Sequence, residues 1–428
     1  MIWVMAVLAA ALAASPATAQ LLPGLRGSGL PLAPVGGLPG AAVSDVRGDL
    51  DAVRPAELRL TRLRDLLRAN PTTLERDDHG APVVRGEVLA VSPKPRSLQI
   101  VQAAGFAIAR RESLEPLGIE EVVLTPPGGE SARQAVARLR KLDPDGAYDF
   151  DHIYSPSGSA PSEHAEPVAA GPNARAASVR VGLLDTGVDR SHAAFASSTV
   201  DQRAFAPGGV KVDAHGTAVA SLLVGRGGRF SGAAPGAHLF AADVYGAGPT
   251  GGSADAIARA LAWMAANHIG VINVSLVGPP NQVLEAAIRA VTAKGELVVA
   301  PVGNDGPAAP PLYPASYPGV VAVTAVDPRG RVIFEAGRAR HVDFAAPGAE
   351  MLAARPGGGW APVRGSSFAS PIVAGRLALL QPLADPAAAA SAIERLAAEA
   401  RRPGGQDAAR LGHGVVGEAL RLDPHARP

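Results

Sequence analysis

Residues 179–185 read VRVGLLD, an apolar run that stops on an acid, with Thr186-Gly187 turning the chain directly after it. Such a run, rich in branched side chains and without alternating polar positions, fits a strand covered on both faces. Working outward, the same texture recurs between alanine-rich helical stretches. It is seen in AHLFAADVY (237–245), GVINVSL (270–276), LVVAPVGN (297–304) and GVVAVTAV (319–326). The intervening ADAIARALAWMAANH (254–268) and NQVLEAAIRAVTAKG (281–295) carry helical spacing. This rhythm predicts an α/β fold, a parallel sheet flanked by helices on both faces, and such sheets place function at the carboxyl ends of their strands.

Three segments fall at those ends. VGLLDTGVD finishes a strand on Asp185, DAHGTAVAS opens a helix at His215, and RGSSFASPIVAG (364–375) opens another at Ser367. Each alone reads as well as a turn or a helix cap. Together they supply the three groups that acyl transfer by a hydroxyl needs. A serine becomes nucleophilic when an imidazole takes its proton, and the imidazole needs a carboxylate to set its tautomer. His192 and Asp189 read as loop-shaping residues, and GRGGRFSG (225–232) as a turn, since it lacks the lysine of a phosphate-binding loop.

The order Asp, His, Ser inside DTG, HGT and GSSFASP resembles the subtilisin-like serine proteases, or subtilases, over residues 178 to about 420. The resemblance implies that Ser367 is the nucleophile, with Ser366 in the place of the family's threonine. VVAPVGNDG implies that Asn304 and the Ser367 backbone N–H form the oxyanion hole. INVSLVG implies a substrate-pairing strand at Ser275, Leu276, Val277 and Gly278, faced by Pro301, Val302 and Gly303, and FAAPG at 344–348 is a further landmark. The chain departs from the family at Ala214 and in AVAS after HGT, at Ile372 where the family has histidine, and at Val277 where it has glycine. Many subtilases bind Ca²⁺ in a longer loop after the histidine helix. The segment from Gly225 to Gly232 offers no side-chain carboxylate or amide, so that site is expected to be absent. Calcium wants six to eight oxygens; no metal ligands and no cofactor are expected, with a weak structural Ca²⁺ elsewhere left open.

The N-terminal part has a different texture. Residues 1–19 form an apolar run ending Ala17-Thr18-Ala19, which fits a signal peptide, with a buried helix as the alternative. Residues 20–48 are expected to be a flexible Gly/Pro-rich segment, with a helix from Asp49 to Ala69 stopped by Asn70-Pro71. Strands near 83–91, 106–110 and 119–124, a helix at 131–142 and the extended AYDFDHIY (147–154) make a small α+β unit. By the resemblance, residues 49–154 are a prodomain, both chaperone and inhibitor, with AYDFDHIY in the substrate cleft. Residues 155–177, rich in Pro, Ser, Gly and Ala, would be the linker cut during maturation, and 178–428 the catalytic domain.

The whole chain has 428 residues, 47% hydrophobic, with a formal net charge of +1, which excludes the strong basic footprint of a nucleic-acid or acidic-membrane binder. The absence of cysteine excludes disulfides, thiolate metal sites and a cysteine nucleophile. The expectation is a secreted or periplasmic serine endopeptidase, made as a self-processing zymogen. Its partners would be a protein or peptide substrate and its own prodomain, with no nucleic acid and no membrane after signal removal, and it would act as a monomer. Two other readings stand beside it. One is a catalytically silent binding protein on the same scaffold. The other is an aspartic protease, for which LLDTGV supplies one of the two carboxylates that chemistry needs.

Overall fold

The structure, a computed structural model, describes residues 40–158, 178–403 and 408–422. Residues 1–19, expected to be a signal peptide, residues 20–39 of the Gly/Pro-rich segment and most of the expected linker lie outside them. The chain divides into two compact units, Met1–Val46 and Arg47–Pro428.

Helix α1 spans Gly40–Ala69 and passes through Pro55. Residues 40–48 are therefore helical and not a flexible segment: no proline interrupts the chain between Pro39 and Pro55, and Ala, Val, Arg and Leu allow the helix to extend. Strands β1 (Leu74–Arg76), β2 (Pro82–Val91), β3 (Ala107–Leu114), β4 (Ile119–Thr125) and β5 (Tyr148–His152) form an antiparallel sheet in the order β1-β2-β4-β3, with β5 on β2. Helix α2 (Pro95–Ala103) starts on Pro95 at its first turn, a signal the sequence reading left unused. Helix α3 (Ala132–Leu142) begins with a capping box of Ser131 and Gln134.

Period-two alternation divides this sheet between two cores. Val88, Ala90, Val122, Leu124, Tyr148 and Phe150 turn inward with Val101 and Val136 to form the unit's own core. Leu89, Ile119 and Val123, on the opposite face, join the much larger core of the C-terminal part.

After β6 (Ser155–Pro156), that part is built on seven strands: β7 (Arg180–Asp185), β8 (Val200–Ala204), β11 (His238–Asp243), β12 (Val271–Val274), β14 (Leu297–Pro301), β15 (Val320–Val326) and β16 (Phe344–Pro347). The short pieces β9 (Arg226–Gly227) and β10 (Phe230–Ser231) make a hairpin of GRGGRFSG, β13 (Leu276–Val277) follows β12, and β17 (Met351–Ala354) pairs with β18 (Trp360–Val363). The sheet order is β16-β15-β14-β12-β7-β11-β8 and every pairing is parallel. β12, β14 and β15 are buried at every position, which requires cover on both faces. Helix α4 (Ala214–Val224) packs with α7 (Ser366–Leu380), and α5 (Ala254–Ala266) with α6 (Gln282–Ala293); α8 (Pro386–Glu399) leans on α7.

The N-terminal sheet lies on α5 and α6, and it meets their open N-termini with acids. Asp149 Oδ2 accepts from Gln282 N at 2.7 Å, and Asp151 Oδ1 accepts from Asp255 N at 3.0 Å. Helix starts carry unpaired N–H groups and a positive partial charge, so carboxylates there are favoured.

Leu239 on β11 is fully buried. In the Ser367→Ala background, to prevent self-digestion, Leu239→Ala is expected to lower unfolding free energy by about 2–5 kcal/mol. A denaturant titration reads it, and a loss under about 0.5 kcal/mol would place Leu239 outside the tight core.

Candidate active site

The parallel sheet brings three segments distant in sequence to one edge. Asp185 is the last residue of β7, next to the sheet's centre. His215 lies in the first turn of α4, where the N-cap Asp213 accepts its N–H at 3.0 Å. His215 Nδ1 donates to Asp185, 2.8 Å from Oδ1 and 3.0 Å from Oδ2, and both residues are buried. Asp185 Oδ1 also accepts from Thr186 N at 2.6 Å, which fixes the carboxylate. Ser367 is the second residue of α7. His215 Nε2 and Ser367 Oγ are both buried without a hydrogen-bond partner, the arrangement expected of groups that act on something else.

The turn into α7 needs glycine. Gly365 has φ +137°, and a Cβ there would lie 2.8 Å from Asn304 Nδ2. Asn304 Oδ1 accepts from Ser366 N at 2.9 Å, which aims the amide nitrogen at the cleft. Pro371, inside α7, has no N–H to give the carbonyl of Ser367. Ser275 Oγ donates to that carbonyl at 3.2 Å instead, so the proline's cost is met by a neighbouring strand.

The cleft is occupied by the chain itself. β6 pairs antiparallel with β13, Pro156 opposite Leu276 and Ser155 opposite Val277. The N–H of Ser367 donates to the carbonyl of Ser157 at 3.2 Å, and Asn304 Nδ2 donates to Ser157 Oγ at 3.0 Å. Gly158 follows with φ +156°, and a Cβ on it would meet Phe368 Cε2 at 2.8 Å and stand 3.5 Å from His215 Nε2. Upstream, Tyr154 N donates to Gly252 O at 2.8 Å and its hydroxyl to Pro279 O at 2.7 Å. Its ring lies where a side chain on Gly278 would be, 2.4 Å from the position of the missing Cβ. Helix α1 crosses above, with Arg59 Nε 3.2 Å from Asp305 Oδ2, and a cavity of about 570 Å³ lies between helix and cleft.

A model of the Subtilase family matches residues 176–414, more than half of the chain. The chain belongs to the subtilase family. Subtilisin Savinase of Lederbergia lenta is 35% identical over 209 residues, 47% of this chain and 76% of that protein. The alkaline protease of Alkalihalobacillus alcalophilus is 35% identical over 209 residues, and the match spans about half of it, 54% of its length. Among solved structures, fervidolysin from Fervidobacterium pennivorans, a keratinolytic enzyme related to subtilisin, superposes with a TM-score of 0.63 at 20% identity. It covers 79% of this chain and 61% of that one, and supports the fold. This subtilase is thus a serine peptidase with the family's parallel-sheet fold.

Not every residue expected at the subtilase's site reaches the cleft. Asp185, His215, Ser367 and Asn304 meet there. Leu276 and Val277 border the bound segment, and Gly278 makes room for Tyr154. Pro301 is the last residue of β14, opposite Val323, and Val302, fully buried just after it, donates its N–H to Val323 O. Ser275 acts beneath the site, through Ser367 O and Ser370 Oγ. Gly303 lines the slot opposite Val277: the position of its missing Cβ is 3.7 Å from Val277 Cγ1 and 2.7 Å from Leu312 Cδ1. His192 bonds Ala194 N and Gly359 O, and Asp189 binds Ser191 and Gly357, both as loop residues. Gly252, Asp305 and Leu312 went unnoticed in the sequence, because nothing in loops of Gly, Asp and Pro marks which backbone will face a ligand.

Burial pulls the His215 pKa down, but the charge and hydrogen bond of Asp185, with Asp213 and the Ser157 carbonyl, outweigh it and raise it above the usual histidine value. An imidazole accepts a proton only when neutral, so activity that uses His215 as a base is expected to fall as pH drops through that raised value. The acid limb of kcat is expected to lie above about 6.5, the ordinary histidine value, and a limb well below it would separate His215 from Asp185. Asn304→Ala is expected to lower kcat about 10²- to 10³-fold, the size reported for such a donor in subtilisin itself. A change under threefold would remove Asn304 from the oxyanion hole.

Proposed function

We propose that the chain is an exported serine endopeptidase made as a zymogen, and that its first substrate is its own Ser157–Gly158 bond. The observation that carries this reading is the Ser367 N–H on the Ser157 carbonyl, with Gly158 beside His215 Nε2. Asp185, His215 and Ser367 are the catalytic residues, and Asn304 with the Ser367 N–H forms the oxyanion hole.

In the reaction Ser367 Oγ adds to the Ser157 carbonyl carbon as His215 Nε2 takes its proton. The carbonyl electron pair moves to oxygen, held by the Ser367 N–H and by Asn304 once its amide turns from Ser157 Oγ. Collapse breaks the C–N bond, and His215 returns the proton to the Gly158 nitrogen. Water, deprotonated by the same imidazole, then releases Ser157 as a carboxylate.

Residues 49–157 are in this reading the prodomain, with Tyr154 to Ser157 its inhibitory tail, and the mature enzyme begins at Gly158. The apolar residues 1–19 support export; among the described residues no helix is long and apolar enough to cross a membrane. The slot beside Ser157 is narrowed by Val277 and Leu312 against Gly303, which favours small side chains such as Ser or Ala before the cut. The mature enzyme would act as a monomer on exposed protein segments.

Intact-mass analysis of purified wild type is expected to show a fragment starting at Gly158, while Ser367→Ala stays whole and Ser366→Ala still processes. A new terminus elsewhere, or processing of Ser367→Ala with no other protease present, would overturn the assignment. In peptides of otherwise identical sequence, Ala or Ser at the position of Ser157 should exceed Phe in kcat/KM by at least tenfold, and Val277→Gly should narrow the gap. Each methylene that does not fit is worth about 1–3 kcal/mol, so a wild-type preference for Phe would show that Val277 leaves the slot open.

A further inference from the structure

The face of the N-terminal sheet that meets the catalytic part carries acids at alternate positions. Glu87 on β2, Glu121 on β4 and Asp151 on β5 share the face of Leu89 and Val123 and turn away from the unit's own core. Two further carboxylates meet them, Glu112 from β3 and Asp255 from α5. Against these five stand two guanidinium groups, Arg110 of β3 and Arg259 of α5, and both are engaged by Asp255. Arg110 also lies 3.7 Å from Glu112 and 3.9 Å from Glu121 Oε2, and Arg259 4.0 Å from Glu112. Helix α6 adds no free cation to the cluster, since its Arg289 pairs with Glu285 at 3.0 Å. His152, next to Asp151, is held by Asp77 and Asn281.

Glu121 is 1% exposed, and neither of its carboxyl oxygens has a hydrogen-bond partner. A buried carboxylate without donors is costly, and the group keeps its proton instead. Burial first, and then the charge of Asp151, push Glu121 up to about 8. The same two causes push Glu87 up to about 7, and burial raises Asp151 to about 7.

We propose that this carboxyl cluster makes the grip of the N-terminal unit on the catalytic domain pH-dependent: the cleaved unit stays bound at mildly acid pH and is released as pH rises through neutrality. The proposal rests on the self-cleavage reading, which leaves the two parts joined by non-covalent contacts alone. The sign follows from proton linkage. Free carboxyls ionise at about 4, while the bound ones hold protons up to about 7 or 8. Binding therefore weakens as pH rises between those limits, about tenfold per pH unit for each such group, and levels off above them.

The test uses the self-processed full chain, held on a column through a C-terminal tag at pH 5.5 and washed in steps to pH 8.5, with the eluted N-terminal unit measured by mass. Retention is expected to fall at least tenfold between pH 5.5 and 8. Glu121→Gln, neutral at every pH, should move the release midpoint upward, and the half-buried Glu87→Gln serves if the first variant does not fold. Equal retention at pH 5.5 and 8, or a midpoint unmoved in a folded Gln variant, would overturn the proposal. A wild-type chain that never cuts itself would instead sink the self-cleavage reading. The cluster is then judged in intact Ser367→Ala by hydrogen exchange in β4 and α5, corrected for intrinsic rate. Protection falling with pH supports the switch, and constant protection overturns it.

Discussion

The buried hydrogen bond from His215 Nδ1 to Asp185 is the contact on which the site depends. Neither partner can make it locally, because the residues are 30 apart in sequence. It exists because β7 ends where α4 begins, at the carboxyl edge of a sheet whose strands all run one way. A carboxylate this deep is tolerable only when donors surround it, and Asp185 has the imidazole and the N–H of Thr186. With Nδ1 committed, Nε2 is the nitrogen left facing the cleft without a hydrogen-bond partner.

The same edge explains why the tail lies where it does. β13 follows β12 after one residue, outside the large sheet, and pairs with β6. Backbone pairing fixes direction and register, and with this register the Ser157 carbonyl meets the N–H of Ser367. Small residues then decide the fit. Gly278 clears space for Tyr154, Gly158 for Phe368, and Gly365 for Asn304. Shape is set as much by absent side chains as by present ones.

The N-terminal unit is held by the complementary logic of charge. Asp149 and Asp151 are two residues apart on one strand, so both face the catalytic part, and each reaches the start of a different helix. That gain comes with crowding of acids, and Glu121 is left buried with no donor. An interface built this way grips through its helix caps and carries the strain of its carboxyls.

The sequence by itself determined the alternation of strands and helices, the parallel α/β class and the residues Asp185, His215, Ser367 and Asn304. Burial period and helix starts are local properties, and the four motifs keep their order along the chain. It also determined most of the N-terminal strands, through their alternation, and the helix that begins near Ser131. Only the tertiary structure decided that Val302 bonds the neighbouring strand, that Ser275 supports α7 from below, and that residues 155–158 lie in the cleft. It also decided that α1 continues back through residues 40–48 and crosses the site with Arg59 on Asp305. Each of these depends on which surfaces meet between segments distant in the chain, or on which of two compatible conformations a weakly patterned segment adopts. Neither is written in the spacing of neighbouring side chains.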